Sequence, residues 1–216
     1  MLGAAAGLWG TIGTMTRIER LDMDGLALVT PSRYGDERGY FFEAFRAEHF
    51  EALEPGLAFV QDNQAFSAQQ GVVRGLHFQI GPAAQGKLVR CLRGSILDVA
   101  VDIRRGSPSF GQHVAVTLSA ENGRQLWVPP GFAHGYATQE PDCEVFYKVT
   151  AYYDRERERG LAWDDPDLNI DWGLAGAQAI LSTKDQAQPR LAQSPAYFDY
   201  RASALAVGLA GDPEGI

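Results

Sequence analysis

Short runs of alternating apolar and polar residues, punctuated by glycine, proline and asparagine, fill residues 25–150. The clearest spans residues 95–103: Leu97, Val99, Val101 and Ile103 fall on one face, Asp98, Ala100 and Asp102 on the other. A period of two predicts a half-buried strand. Similar segments recur at 25–30, 40–44, 59–63, 72–79, 87–92, 113–119, 126–128, 134–138 and 142–150. Between them stand turn signals such as Arg38-Gly39, Gly94, Asn122-Gly123 and Pro129-Pro130-Gly131. Residues 64–71 read as a polar loop, and residues 47–53 carry a short helical pattern stopped by Pro55-Gly56. So many short strands with no alternating helices predict an all-β sandwich or barrel rather than a parallel α/β sheet. After Tyr152 the pattern loosens into loops and a few short helices. The expected organisation is a single domain over residues 21–202, between a loosely ordered extension at 1–20 and a tail at 203–216.

Composition narrows the partners. The chain has 216 residues, 45% hydrophobic and 21% charged, with a net charge of -8. An acidic chain is a poor general ligand for nucleic acid, though a local basic pocket for a small anion remains compatible with it. The two cysteines, Cys91 and Cys143, lie in apolar strand-like runs and make no disulfide framework, which fits a cytoplasmic location. No apolar run approaches the ~20 residues needed to span a bilayer. The first 14 residues carry no charged side chain and do not read as a signal peptide.

Candidate chemistry concentrates in residues 72–88. Arg74, His77, Gln79 and Lys87 stand there among Val72, Val73, Leu76 and Phe78, and polar groups in apolar company are costly unless they bind something. This stretch is read as one wall of an active site. Of the four histidines, His49 lies in the short helical stretch and reads as a surface residue, and His113 starts a strand with no polar company and reads as structural. His134 closes the sequence Pro129-Pro130-Gly131-Phe132-Ala133-His134. A Pro-x-Gly-x-x-His pattern resembles the second signature of the cupin superfamily, and His77-Phe78-Gln79 falls where metal cupins carry His-x-His. Gln79 replaces the second histidine, so His77 and His134 fall short of the three or four ligands a metal site uses. The expectation is no metal and no cofactor.

An ordered set of segments carries a closer resemblance. They are Asp36-Glu37-Arg38-Gly39-Tyr40-Phe41-Phe42-Glu43, Gln61-Asp62-Asn63, Arg74-Gly75-Leu76-His77-Phe78-Gln79, Gln85-Gly86-Lys87-Leu88-Val89-Arg90, Asp98 to Arg104, Gln125 to Pro129, Gly131 to Gly135, Tyr147-Lys148-Val149-Thr150 and Ser182-Thr183-Lys184-Asp185. Together they resemble the dTDP-4-dehydrorhamnose 3,5-epimerase family of metal-free cupins. The resemblance implies a cupin jelly roll, an isomerase, a dTDP-4-ketosugar substrate and a homodimer in which an N-terminal strand near residues 25–30 crosses to the partner. It implies His77 as the base, Asp185 as its carboxylate partner, Tyr147 as the acid and Lys87 at the enolate oxygen. It places Arg38, Glu43, Gln61, Asn63, Arg74, His134, Glu158 and Lys184 around the nucleotide sugar, with Tyr152 stacked on the base.

Some alternatives stay open at this level. Glu156 could match in place of Glu158, within a charge run that also reads as a solvated face. On pattern alone Tyr147 is a core aromatic. Residues 64–67, Gln64-Ala65-Phe66-Ser67, depart from the family's usual pattern and are expected to put an aromatic ring near the sugar. That leaves a single-site epimerase or a ketoisomerase as readings beside inversion at both C3 and C5. A non-catalytic nucleotide-sugar-binding cupin is a reading of a different class.

Overall fold

The computed structural model describes residues 16–51, 53–174 and 178–202. Most of the extension at 1–20 and nearly all of the tail at 203–216 therefore lie outside the described residues. Residues 17–20, counted with the extension, form β1 (Arg17–Arg20), which pairs antiparallel with β2 (Ala27–Thr30).

Two antiparallel sheets stack face to face. One has six strands in the order β1-β2-β11-β7-β13-β5, where β5 is Gln61–Ser67, β7 Lys87–Arg93, β11 Gln125–Val128 and β13 Cys143–Val149. The other has five in the order β10-β8-β12-β6-β14, where β6 is Val73–Gln79, β8 Ser95–Asp102, β10 His113–Ser119, β12 Phe132–Thr138 and β14 Glu158–Gly160. Apart from the β1–β2 and β8–β10 pairs, neighbours in each sheet are distant in sequence, as crossovers between two sheets require. This is the expected all-β jelly roll. Two small pairs lie outside it: β3 (Tyr34–Asp36) with β4 (Gly39–Phe41), and β9 (Arg104–Arg105) with β15 (Phe198–Asp199). The helices are short, α1 at Glu48–Glu51 and α2 at Thr183–Gln186.

Alternation within each strand distributes side chains among three apolar layers. Leu28, Val89, Leu126, Phe132 and Val145 meet between the sheets. Val73, Leu76, Phe78, Val99, Val101 and Ala137 face outward from the five-stranded sheet, under Leu161, Leu168 and Trp172 of the C-terminal segment. Trp127, Leu88 and Phe50 pack outside the six-stranded sheet, with Phe45 and Phe59 against the same aromatic group.

Two expectations change here, and the position of β2 bears on a third. β8 is buried on both faces, not one: the C-terminal segment covers Val99 and Val101, and the even-numbered face, with Asp98 and Asp102, looks into the space between the sheets. Of the segment read as a loop at 64–71, residues 64–67 are instead the second half of β5, which pairs with β13 from Ser67 to Gln61, and residues 68–71 are the loop expected. And β2, near the strand expected to cross to a partner, is bonded on both sides within its own sheet, by β1 and β11.

Each of the two buried aspartates of β8 has a partner. Asp102 accepts from Arg104 Nε at 2.9 Å, Arg104 Nη2 at 2.6 Å and the hydroxyls of Ser107 and Ser109 at 2.6 and 2.7 Å. Asp98 Oδ1 lies 2.9 Å from His134 Nε2.

Candidate active site

One end of the space between the sheets is open and lined by polar groups. Strand β6 supplies the first of them through an irregularity. The four residues from Arg74 to His77 span the same length as the three from His134 to Tyr136 on β12, since Arg74 faces Tyr136 and His77 faces His134. The extra residue is a β-bulge. Gly75 adopts φ 125° there, and a Cβ at this position would stand 2.6 Å from Gly135 Cα and 2.7 Å from the His134 carbonyl oxygen. Only glycine tolerates both the conformation and the contact. The bulge flips the alternation, so Arg74 and His77 both line the cleft.

Two lobes of about 240 Å3 each make up the cleft. His77, Lys87 and Tyr147 line both. The first lobe adds Arg74, His134, Tyr136, Ala65, Ser182, Lys184 and Asp185. The second adds Gln61, Asn63, Gln79, Gln85, Tyr153 and Glu158.

His77 Nε2 lies 2.5 Å from Asp185 Oδ1. A carboxylate is acceptor-only, so the proton sits on Nε2 and the lone pair on Nδ1. Asp185 is buried, and burial pushes its carboxyl up. Hydrogen bonds from His77 and Ser182 outweigh this and hold it below the ordinary carboxylate value. Lys87 donates to the His77 carbonyl oxygen at 3.1 Å, and burial of its ammonium lowers it to about 8. Burial moves the Tyr147 phenol the other way, up from its usual value, so it keeps its proton through neutral pH. Burial also lowers His134, against the pull of Asp98, which leaves its imidazole neutral.

The second lobe is a chain of hydrogen bonds. Gln61 Nε2 donates to Asn63 Oδ1 at 2.8 Å, and Gln61 Oε1 accepts from the Tyr153 backbone at 3.0 Å. The Tyr153 hydroxyl donates to Glu158 Oε2 at 2.9 Å, and Lys184 donates to Glu158 Oε1 at 2.7 Å. Glu158, not Glu156, is thus the glutamate of the cleft, held on β14 opposite Gln79. Glu156 has its backbone bonded in the preceding turn. Gln79 spends its amide on the backbone of Ala83, Tyr152 and Asp154, tying two loops together. Among the described residues no three His, Cys, Asp or Glu side chains gather where a metal ion could be held.

Several expected site residues are not brought together with these. Arg38 is fully exposed in the β3–β4 hairpin and paired with Asp36. Glu43 pairs with Arg46 at 2.6 Å in a separate outer hollow beside Tyr34 and Phe41. Tyr152 is exposed and outside both lobes, whereas its neighbour Tyr153 lines the second. Phe66 points out of β5 and Ala65 points in, so no aromatic ring enters from that strand. Loop geometry decides between Tyr152 and Tyr153, and no periodic signal precedes it. Ser182 and Asp98 were also missed as site residues. For Asp98 a signal existed, a charge at the centre of an otherwise apolar strand.

A jelly roll whose mouth holds a histidine–carboxylate pair, a buried lysine and a facing tyrosine is a cupin equipped for proton transfer. Comparison with known proteins makes this specific. The family model described as dTDP-4-dehydrorhamnose 3,5-epimerase matches residues 20–193. A dTDP-4-dehydrorhamnose 3,5-epimerase of Sinorhizobium fredii is 51% identical over 182 residues, covering 84% of this chain and 93% of its own. A crystal structure of the Legionella pneumophila dTDP-6-deoxy-D-glucose-3,5-epimerase in complex with dTDP-4-keto-L-rhamnose superposes with a TM-score of 0.82 at 47% identity, covering 87% of this chain and all of that one. A 3'-monoepimerase from Streptomyces bikiniensis, in complex with dTDP-quinovose, gives 0.75 at 32% identity, covering 88% and 90%. The chain belongs to the dTDP-4-dehydrorhamnose 3,5-epimerase family.

Proposed function

We propose that the protein inverts C3 and C5 of dTDP-4-dehydro-6-deoxy-D-glucose, giving dTDP-4-dehydro-L-rhamnose without a cofactor. The observation that carries this is the sharing of His77, Lys87 and Tyr147 by both lobes of the cleft, with Asp185 behind the imidazole. Both carbons flank the C4 ketone. Nδ1 of His77 takes the proton, the C–H pair becomes the C=C bond of an enolate, and the carbonyl pair moves to oxygen. The Lys87 ammonium stabilises that oxyanion, as fixed charges do in a water-poor site. Tyr147 returns a proton to the opposite face, and solvent restores both groups. Asp185 holds the imidazole in one tautomer and stabilises its cation.

Arg74 suits the diphosphate, since a guanidinium fork matches phosphate oxygens. The nucleoside fits the second lobe, against Tyr153 with Gln61 and Asn63 beside it, and His134, Glu158 and Lys184 border the sugar and phosphates. Arg38 and Glu43 lie too far out to serve their own cleft, which supports a homodimer in which the exposed β3–β4 hairpin, with Tyr34, Tyr40 and Phe41, reaches a partner. A cytoplasmic location fits the two unpaired, buried cysteines. No helix among the described residues is long and apolar enough to cross a membrane.

Incubation with the ketosugar nucleotide in deuterated water, read by NMR, tests the reading. Deuterium at both C3 and C5 with inverted configuration is expected. Deuterium at C3 alone would make this a monoepimerase like the Streptomyces relative, and none at either carbon would make it a binding protein.

A further inference from the structure

Asp185 has two carboxylate oxygens, and His77 uses only one. The other, Oδ2, accepts from the Ser182 hydroxyl at 2.9 Å, and the same Ser182 oxygen accepts from the Asp185 backbone N–H at 3.1 Å. Ser182 is the residue before α2 and caps its first turn. The serine thus grips Asp185 twice, by backbone and by side chain, and both carboxylate oxygens are committed. The carboxylate plane cannot rotate without breaking a charge-assisted hydrogen bond.

We infer that Ser182 is a positioning residue, a third member of a Ser182–Asp185–His77 chain that fixes the orientation and basicity of the proton-abstracting imidazole. The inference rests on the reading of His77 as the base. Ser182 touches no reacting atom and acts through Asp185. By donating to Oδ2 it draws off part of the carboxylate charge and keeps the remaining pull on the His77 proton moderate. Without that donor Asp185 becomes more basic and holds the imidazolium proton more tightly. The base is then unavailable up to a higher pH.

A purely structural cap would behave differently, and three variants separate the two roles. Ser182→Ala removes both the cap and the donor. Ser182→Thr keeps both. Ser182→Gly is tolerated at a helix cap at little cost in stability, cannot donate to Asp185 and adds no charge. Each is assayed by steady-state epimerisation from pH 5 to 9, with His77→Asn as reference. Ser182→Ala is expected to lower kcat by about tenfold, the scale of one hydrogen bond to a charged group, with KM little changed. The acidic limb of its profile should move to higher pH. Ser182→Thr should restore both rate and profile. Ser182→Gly should fold nearly as stably as wild type and still show the displaced limb. If Ser182→Gly keeps the wild-type profile, or Ser182→Ala loses stability but no turnover, Ser182 is only a cap and the inference is overturned. If His77→Asn itself retains wild-type solvent exchange, the reading of the base has failed, a distinct outcome.

Discussion

Arg74 and His77 stand three residues apart on one strand, yet both side chains face the same cleft. On a regular strand they would point to opposite faces. The bulge at Gly75 removes the conflict and lets a strand whose other face is Val73, Leu76 and Phe78 deliver two polar groups to one place. The catalytic wall therefore depends on a residue with no functional group.

Gly75→Ala tests this. The new methyl would meet Gly135 and the His134 carbonyl well inside contact distance, at a backbone angle alanine avoids. The expected cost is about 3 kcal/mol, combining overpacking with backbone strain. Thermal unfolding should show a fall in Tm, and any folded fraction should lack turnover because Arg74 and His77 no longer converge.

The alkaline side of the pH profile should belong to Lys87. Burial lowers its ammonium to about 8 while raising the Tyr147 phenol above its usual value, so the lysine loses its proton first. On this limb activity should decline as pH rises through about 8, as the enolate loses its cation. In Lys87→Arg the guanidinium stays charged, so this limb should vanish from a pH–rate measurement while overall turnover falls with the changed geometry.

Asp102 should matter for stability and not for chemistry. Burial pushes its carboxyl up, but Arg104, Ser107 and Ser109 hold it below its unfolded value. Its stabilisation is therefore fully present above about pH 4 and lost as the pH falls further. Asp102→Asn leaves the Arg104 guanidinium buried without its charge partner and should cost about 3 kcal/mol at neutral pH. Denaturant unfolding at pH 7 and pH 3 should show the wild-type advantage shrinking on the acid side.

If Arg38 serves a partner's cleft, inactive variants should complement one another. Arg38→Ala and His77→Asn, each poorly active alone, would be unfolded together and refolded as a mixture. Mixed dimers contain one cleft with both native residues, so roughly a quarter of wild-type activity should return, the statistical share for random pairing of two halves. Refolding that restores none would place Arg38 outside the site.

The all-β class, most of the strand positions between residues 25 and 150 and the polar wall at residues 72–88 were legible in the sequence, because alternation and turn chemistry are local properties. The short-range motifs holding His77, Lys87 and His134 were legible for the same reason. Burial on both faces of β8 was not, since it depends on the C-terminal segment folding back over Val99 and Val101. Nor was the inward choice of Ala65 over Phe66, or of Tyr153 over Tyr152, because strand facing and loop path are set by which neighbour a segment packs on. The pairing of His77 with Asp185 came from family resemblance; its geometry, including the grip of Ser182, came from tertiary structure. By itself, the sequence determined which residues are available for chemistry. The crossing of strands between two sheets decided which of them meet, since side chains 108 residues apart become hydrogen-bonded only when the chain closes on itself.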